Sequence, residues 1–123
     1  MEKIIKKLLI IGCGKLGQRI GKNLSELPIE IVGIKRKVPK ITSRFEILAL
    51  DIFSDTFSAN ISLISPDFVI YCVSSDSQTE ESYQKNYVEG LRISIKALGQ
   101  LDNFQHLFFV SSTRVYGQVT DSF

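Results

Sequence analysis

Three glycines, Gly12, Gly14 and Gly17, follow the apolar run LLII at 8–11 without a break. This order suits the binding of a dinucleotide phosphate, and each glycine has a separate task. Gly12 lets the chain turn off a strand, Gly14 leaves no Cβ between backbone and pyrophosphate, and Gly17 lets a helix lie close on a sheet. Unpaired N–H groups at the start of that helix, helped by its dipole, would hold the phosphates. A lone GxGxxG is a weak signal, because glycines cluster in ordinary loops; a strand before it and a helix after it give it content. A second cluster stands at 35–37, Lys-Arg-Lys, where the ribose of such a ligand would lie. An Asp or Glu there would bind the two ribose hydroxyls, whereas a cation suits a 2′-phosphate, so NADP(H) is favoured over NAD(H). Arg36 leads Lys35, because a planar guanidinium can clamp a phosphate and stack on adenine. The competing interpretation is a solvated basic loop over 35–44.

These groups need a scaffold that brings them together. After the glycine loop, Leu16, Ile20, Leu24 and Leu27 recur at helical spacing, and Pro28 is expected to end the helix. IEIVGI at 29–34 reads as a strand covered on both faces. FEILAL at 45–50 is a third strand, followed by Asp51 and Ile52. Ser54 and Asp55 are placed to cap a short helix carrying Phe57, Ile61 and Ile64, closed by Pro66. FVIYCV at 68–73 is a fourth strand, and Ser77 with Glu80 has capping-box spacing for the long helix after it. Tyr83, Tyr87, Leu91, Ile95 and Leu98 form the expected buried stripe of that helix. Gly90 within it costs about 1 kcal/mol relative to Ala, which suggests that another element approaches its backbone. LFFV at 107–110 is a fifth strand, ending in Ser111, Ser112 and Thr113.

Strands alternating with helices imply an α/β fold with a parallel sheet, and right-handed crossovers give the order 3-2-1-4-5. Every loop named above then lies at the carboxyl edge, where such folds bind ligands. The 123 residues, 44% hydrophobic, suffice for one domain, 1–123, and are too few for two. A net charge of +2 argues for neither a nucleic-acid surface nor a membrane anchor. No apolar run approaches the ~20 residues of a membrane span, and a cytoplasmic location is expected. Cys13 and Cys72 lack metal-ligand spacing and are expected as small reduced residues, with a redox pair as the sharper alternative. His106 falls at the amino edge, away from the crevice.

With SSTRVYG at 111–117 beside the glycine loop, the chain resembles the extended short-chain dehydrogenase/reductases, the NAD-dependent epimerase/dehydratase family. Within that group it looks most like atypical members with a plain GxGxxG loop. The resemblance covers nearly the whole chain. It implies a Rossmann-type three-layer αβα architecture, here lacking the final strand and the substrate domain. It implies a nicotinamide cofactor held by Gly12, Gly14, Lys15, Leu16 and Gly17, with Asp51 and Ile52 near the adenine and Val73, Ser74 and Ser75 passing alongside. Ser112 would hydrogen-bond the reacting carbonyl or hydroxyl of a small-molecule substrate, a sugar nucleotide or related compound, with Thr113 as the neighbouring candidate.

Three departures matter. The family's usual loop is GxxGxxG. Its helix Asn, three residues before the helix glycine, is replaced by Tyr87, with Asn86 one position earlier. Its Tyr-x-x-x-Lys pair lies downstream of VYG and is not reached by Phe123; Tyr116 is no substitute, since Thr120 stands four residues on. Hydride transfer between a nicotinamide and an alcohol or ketone needs a proton moved as well, and a serine cannot do that alone at neutral pH. The chain is therefore expected to be the cofactor-binding portion of a longer enzyme-like protein, inactive by itself. The alternative is a non-catalytic NAD(P)-binding sensor or interaction module.

Overall fold

Five short apolar runs become five parallel strands in the computed structural model, which describes residues 5–37, 45–72, 81 and 84–110. They are β1 (Lys6–Ile11), β2 (Ile29–Lys35), β3 (Glu46–Ala49), β4 (Phe68–Tyr71) and β5 (His106–Phe109), in the order β3-β2-β1-β4-β5. The helices are α1 (Lys15–Leu24), α2 (Phe57–Ile64) and α3 (Gly90–Leu98), the last continuing a π-helical turn, Gln84–Glu89. The sheet has the expected Rossmann-like order. Because all its pairings are parallel, every strand delivers its carboxyl end to the same edge.

The unbroken apolar runs follow from having helices on both faces. Leu9, Ile11, Val32, Ile34, Val69 and Tyr71 point to one face and meet Phe57, Ile61 and Ile64 of α2 and Ala97 and Leu98 of α3. Leu8, Ile10, Ile31 and Ile70 point to the other, against Leu16, Ile20 and Leu24 of α1. Gly17 and Gly21 are the buried centre of α1. A Cβ on Gly21 would overlap the Phe45 ring, so this helix lies on the sheet through its glycines.

Three local expectations are corrected. α1 closes at Leu24, before Leu27, which is 51% exposed. Ser25 ends it: its hydroxyl donates to the Lys22 carbonyl at 2.7 Å, giving the chain an alternative to another helical turn. The cap of α2 is Thr56, and neither Ser54 nor Asp55; Ser54 Oγ instead accepts the Thr56 N–H at 3.1 Å, one step outside the helix. The stripe of α3 is also rotated. Tyr87, Gly90, Ser94, Ala97 and Leu98 are buried, while Ile95 is 53% exposed. A π turn closes i→i+5 rings, one residue larger than α, so the helix beyond it presents a different face. Gly90 has the close neighbour that its position suggests: the Tyr71 hydroxyl occupies the space a Cβ would need. Tyr83, Ser77 and Glu80 lie outside the described residues.

At the amino edge, Asp67 ties the strands together. Its Oδ2 accepts the Lys7 N–H at 2.8 Å, its own N–H donates to the Lys7 carbonyl at 2.9 Å, and its carbonyl accepts the Gln105 N–H at 2.7 Å. Asn103 Nδ2 donates to Asp67 Oδ1 at 3.1 Å and to the Ser65 carbonyl at 2.8 Å. Burial works against ionisation of Asp67 but is outweighed by the bonds from Lys7 and Asn103 and the charges of Lys6 and Lys7, so its carboxyl is held below the usual range. A depressed folded-state pKa stabilises the fold above the unfolded value, about 3.9, and that contribution disappears as pH falls through the folded one. Asp67→Ala should cost about 1–3 kcal/mol by leaving the Lys7 amide without its acceptor and Asn103 with only the Ser65 carbonyl. In thermal melts, the advantage of the unmodified chain over Asp67→Asn should shrink as pH is lowered through the carboxylate range; a constant difference would remove the charge from this account.

Candidate functional site

The glycine loop is fastened to β2 before α1 begins. The N–H groups of Gly12 and Cys13 both donate to the Ile34 carbonyl, at 3.1 and 2.9 Å. Gly12 has φ of 85°, a left-handed turn that glycine adopts without strain. Gly14 N–H donates to the Gly12 carbonyl at 2.8 Å, and the Gln18 amide side chain donates to the Cys13 carbonyl at 3.2 Å. The Gln18 backbone N–H donates to the Gly14 carbonyl at 2.8 Å as the first bond of α1, so the amides of Lys15, Leu16 and Gly17 precede the helical ladder. A Cβ on Gly14 would meet no atom within 4 Å, whereas one on Gly17 would stand 3.1 Å from both the Gly12 carbonyl oxygen and Ile10 Cγ2. Gly14 thus opens outward, and Gly17 is held inward against the sheet. The first turn of α1 carries no acidic residue, and Lys15 is exposed there.

Lys35 closes β2 half-buried, and Arg36 and Lys37 follow it exposed. The Lys35 carbonyl accepts the Leu50 N–H at 2.9 Å, which sets the end of β3 beside it. Asp51 comes next. Its Oδ1 accepts the Phe53 N–H at 3.0 Å and its carbonyl accepts the Ser54 N–H at 3.0 Å, so part of its hydrogen-bonding capacity shapes the turn into α2. Ile52 is buried in the core below that turn, leaving its backbone, rather than its side chain, at the edge. Lys85 Nζ lies 4.9 Å over the Phe53 ring and joins this turn to the π turn. Gly12, Gly14, Lys15, Leu16, Gly17, Lys35, Arg36, Asp51 and Ile52 therefore all stand at or just beyond the carboxyl ends of neighbouring strands. Val73, Ser74, Ser75, Ser112 and Thr113 lie outside the described residues.

Gly33 and Gln18 belong to this assembly as well, although phosphate-loop spacing does not point to them. A glycine inside a β-branched strand is a signal of close backbone approach and could have exposed Gly33. No comparable pattern marks Gln18. Chemically, the edge offers amide donors, an open glycine and cations, a set suited to a phosphorylated ligand. Among the described residues, no cluster of three or more His, Cys, Asp or Glu could hold a metal ion, and no helix is long and apolar enough to cross a membrane.

The model of the NAD-dependent epimerase/dehydratase family matches residues 8–123. The chain belongs to that family. A search of curated proteins finds no match. Among solved structures, a protein of Methylobacillus flagellatus named for the same family is 36% identical, with a TM-score of 0.72. The alignment covers 94% of this chain and 40% of that one. ADP-L-glycero-D-manno-heptose-6-epimerase of Helicobacter pylori shares 17% identity and a TM-score of 0.73, over 94% of this chain and 42% of that one. The Bordetella bronchiseptica enzyme WbmG, solved with NAD, shares 16% identity and a TM-score of 0.68, over 86% and 37%. At these lower identities the likeness is one of fold. The chain spans about two-fifths of the length of the solved relatives.

In this epimerase/dehydratase-family chain the two cysteines are buried and free. Burial, and secondarily the Cys72 thiol, push Cys13 up to about 11 against a smaller pull from Lys35; burial pushes Cys72 up too. His106 is exposed at the amino end of β5 and stacks on Phe108 at 5.9 Å. Because the thiolate is the reactive form, both cysteines should resist a thiol reagent at neutral pH in the folded chain and react promptly in denaturant. Fast native labelling of Cys13 would show that the glycine loop opens readily.

Proposed function

We propose that this chain is the NAD(P)-binding part, one domain over 1–123, of an epimerase/dehydratase or reductase-like protein acting on a sugar nucleotide or related carbonyl compound. NADP(H) is favoured over NAD(H). The observation that carries the proposal is Gly14, which faces open space at the start of α1, between the bond-forming Gly12 and the packed Gly17. In this assignment the amides of Lys15, Leu16 and Gly17 hold the pyrophosphate, and Lys35 and Arg36 take the ribose 2′-phosphate. Asp51 and the Ile52 backbone flank the adenine, with Val73, Ser74 and Ser75 alongside the cofactor. A bound nicotinamide supplies the hydride chemistry. Ser112, with Thr113 beside it, orients the substrate oxygen, and family membership supports that role. Within 1–123 no lysine follows Tyr116 at the required spacing, so these residues are assigned binding and orientation, and not the proton transfer.

Calorimetric titration with NADPH and NADH tests this. The unmodified chain should bind both, NADPH more tightly; no binding of either at millimolar ligand would overturn the proposal. Gly14→Ala adds a methyl into space that the protein leaves open, so it should leave Tm unchanged and weaken both dinucleotides about tenfold, the equivalent of about 1.4 kcal/mol. Arg36→Asp should weaken NADPH more than NADH. Equal effects on the two would remove Arg36 from the ribose site.

A further inference from the structure

Gly33 stands in the middle of β2, paired with Ile10 of β1, where a branched residue would strengthen the strand. A Cβ there would lie 2.6 Å from Cys13 Sγ and 2.9 Å from Cys13 Cβ. Cys13 is the residue between Gly12 and Gly14, and it is fully buried. Its sulfur drops into the notch that Gly33 leaves and is roofed by α1, since a Cβ on Gly17 would come within 3.6 Å of it. The backbone of the loop is seated on the next residue of the same strand, through the two bonds to the Ile34 carbonyl. Side chain and backbone thus fix the loop against two consecutive residues of β2. From this geometry we infer that Gly33 and Cys13 are positioning residues for the dinucleotide: the notch sets the height of Gly14 and of the first α1 amides above the sheet edge.

This inference rests on the dinucleotide assignment above, and it makes affinity depend on a strand glycine beneath the loop. Filling the notch lifts the loop, displacing donors whose hydrogen bonds to phosphate are short and directional. The effect differs from that of Gly14→Ala, which blocks the ligand and leaves the loop in place. Part of the strain can be relieved from the other side of the contact: Cys13→Ala removes the sulfur at 2.6 Å, leaving the Cys13 Cβ at 2.9 Å and the Phe45 ring at 3.2 Å as milder contacts for a new methyl.

The test measures NADPH affinity by calorimetry well below Tm, with melting recorded in parallel. Gly33→Ala should weaken NADPH by about tenfold or more in the otherwise unmodified chain, and by at least about threefold less when it is made in a Cys13→Ala background. A Gly33→Ala chain that is folded and binds NADPH as tightly as the unmodified chain overturns the inference. So does a loss that Cys13→Ala does not relieve. If Gly33→Ala does not fold, Cys13→Val overfills the same notch from the loop side; it should weaken NADPH at retained cooperative melting, and unchanged affinity would overturn the inference. Failure of the unmodified chain to bind any dinucleotide would instead sink the assignment of the site, and this inference with it.

Discussion

One carbonyl oxygen, that of Ile34, accepts the amides of both Gly12 and Cys13 and so joins the first turn of the chain to its second strand. A carbonyl has two acceptor directions, and using both at one point fixes the orientation of the loop as well as its distance. α1 starts from that fixed point and lies back across the sheet on Gly17 and Gly21. The two residues after Ile34 are Lys35 and Arg36. The donors at the helix start and the cations at the strand end therefore share one anchor, a pair of hydrogen bonds only one and two residues from Lys35 and Arg36.

The two faces of the sheet carry different loads. The face under α2 and α3 holds larger side chains, with Phe57 and Tyr71 among those fully buried. Tyr71 stacks on Phe109 at 6.0 Å, and Phe109 meets Tyr87 edge-on at 6.2 Å, which braces the ends of β4 and β5 with the helix that follows β4. The fully buried layer under α1 is thinner by comparison, built from glycines, the two thiols and aliphatic side chains, with Phe45 and Phe68 only partly buried at its margin. Close approach there brings the helix start to the level of the strand ends.

Much of this was legible in the sequence because periodicity and glycine spacing are local. The runs at 8–11, 29–34, 45–50, 68–73 and 107–110 each locate a strand, and parallel order follows from the helices between them. The misplacements arise where a side chain competes with the backbone or where helical phase changes. Ser25 stops α1 early through its own hydroxyl, and no apolar pattern registers that. The π turn shifts the buried face from Ile95 towards Ser94, whose hydroxyl is then satisfied by the Gly90 carbonyl at 2.8 Å. Of the site, the loop glycines and basic strand end were visible as motifs. The Gly33 notch was not, because its partner is Cys13, twenty positions away in the chain and adjacent only once β1 and β2 pair.

The Asp67 node at the amino edge has a bearing on how such a chain can diverge. Lys7, Ser65, Asn103 and Gln105 converge on it or its partners, gathering β1, β4 and the approach to β5 at the end of the sheet opposite the phosphate loop. Mutational drift at the carboxyl edge can therefore explore new ligands while the far end keeps the strands in register. Descent with altered specificity becomes accessible in small steps, because the residues under selection for binding and those under selection for persistence are different residues.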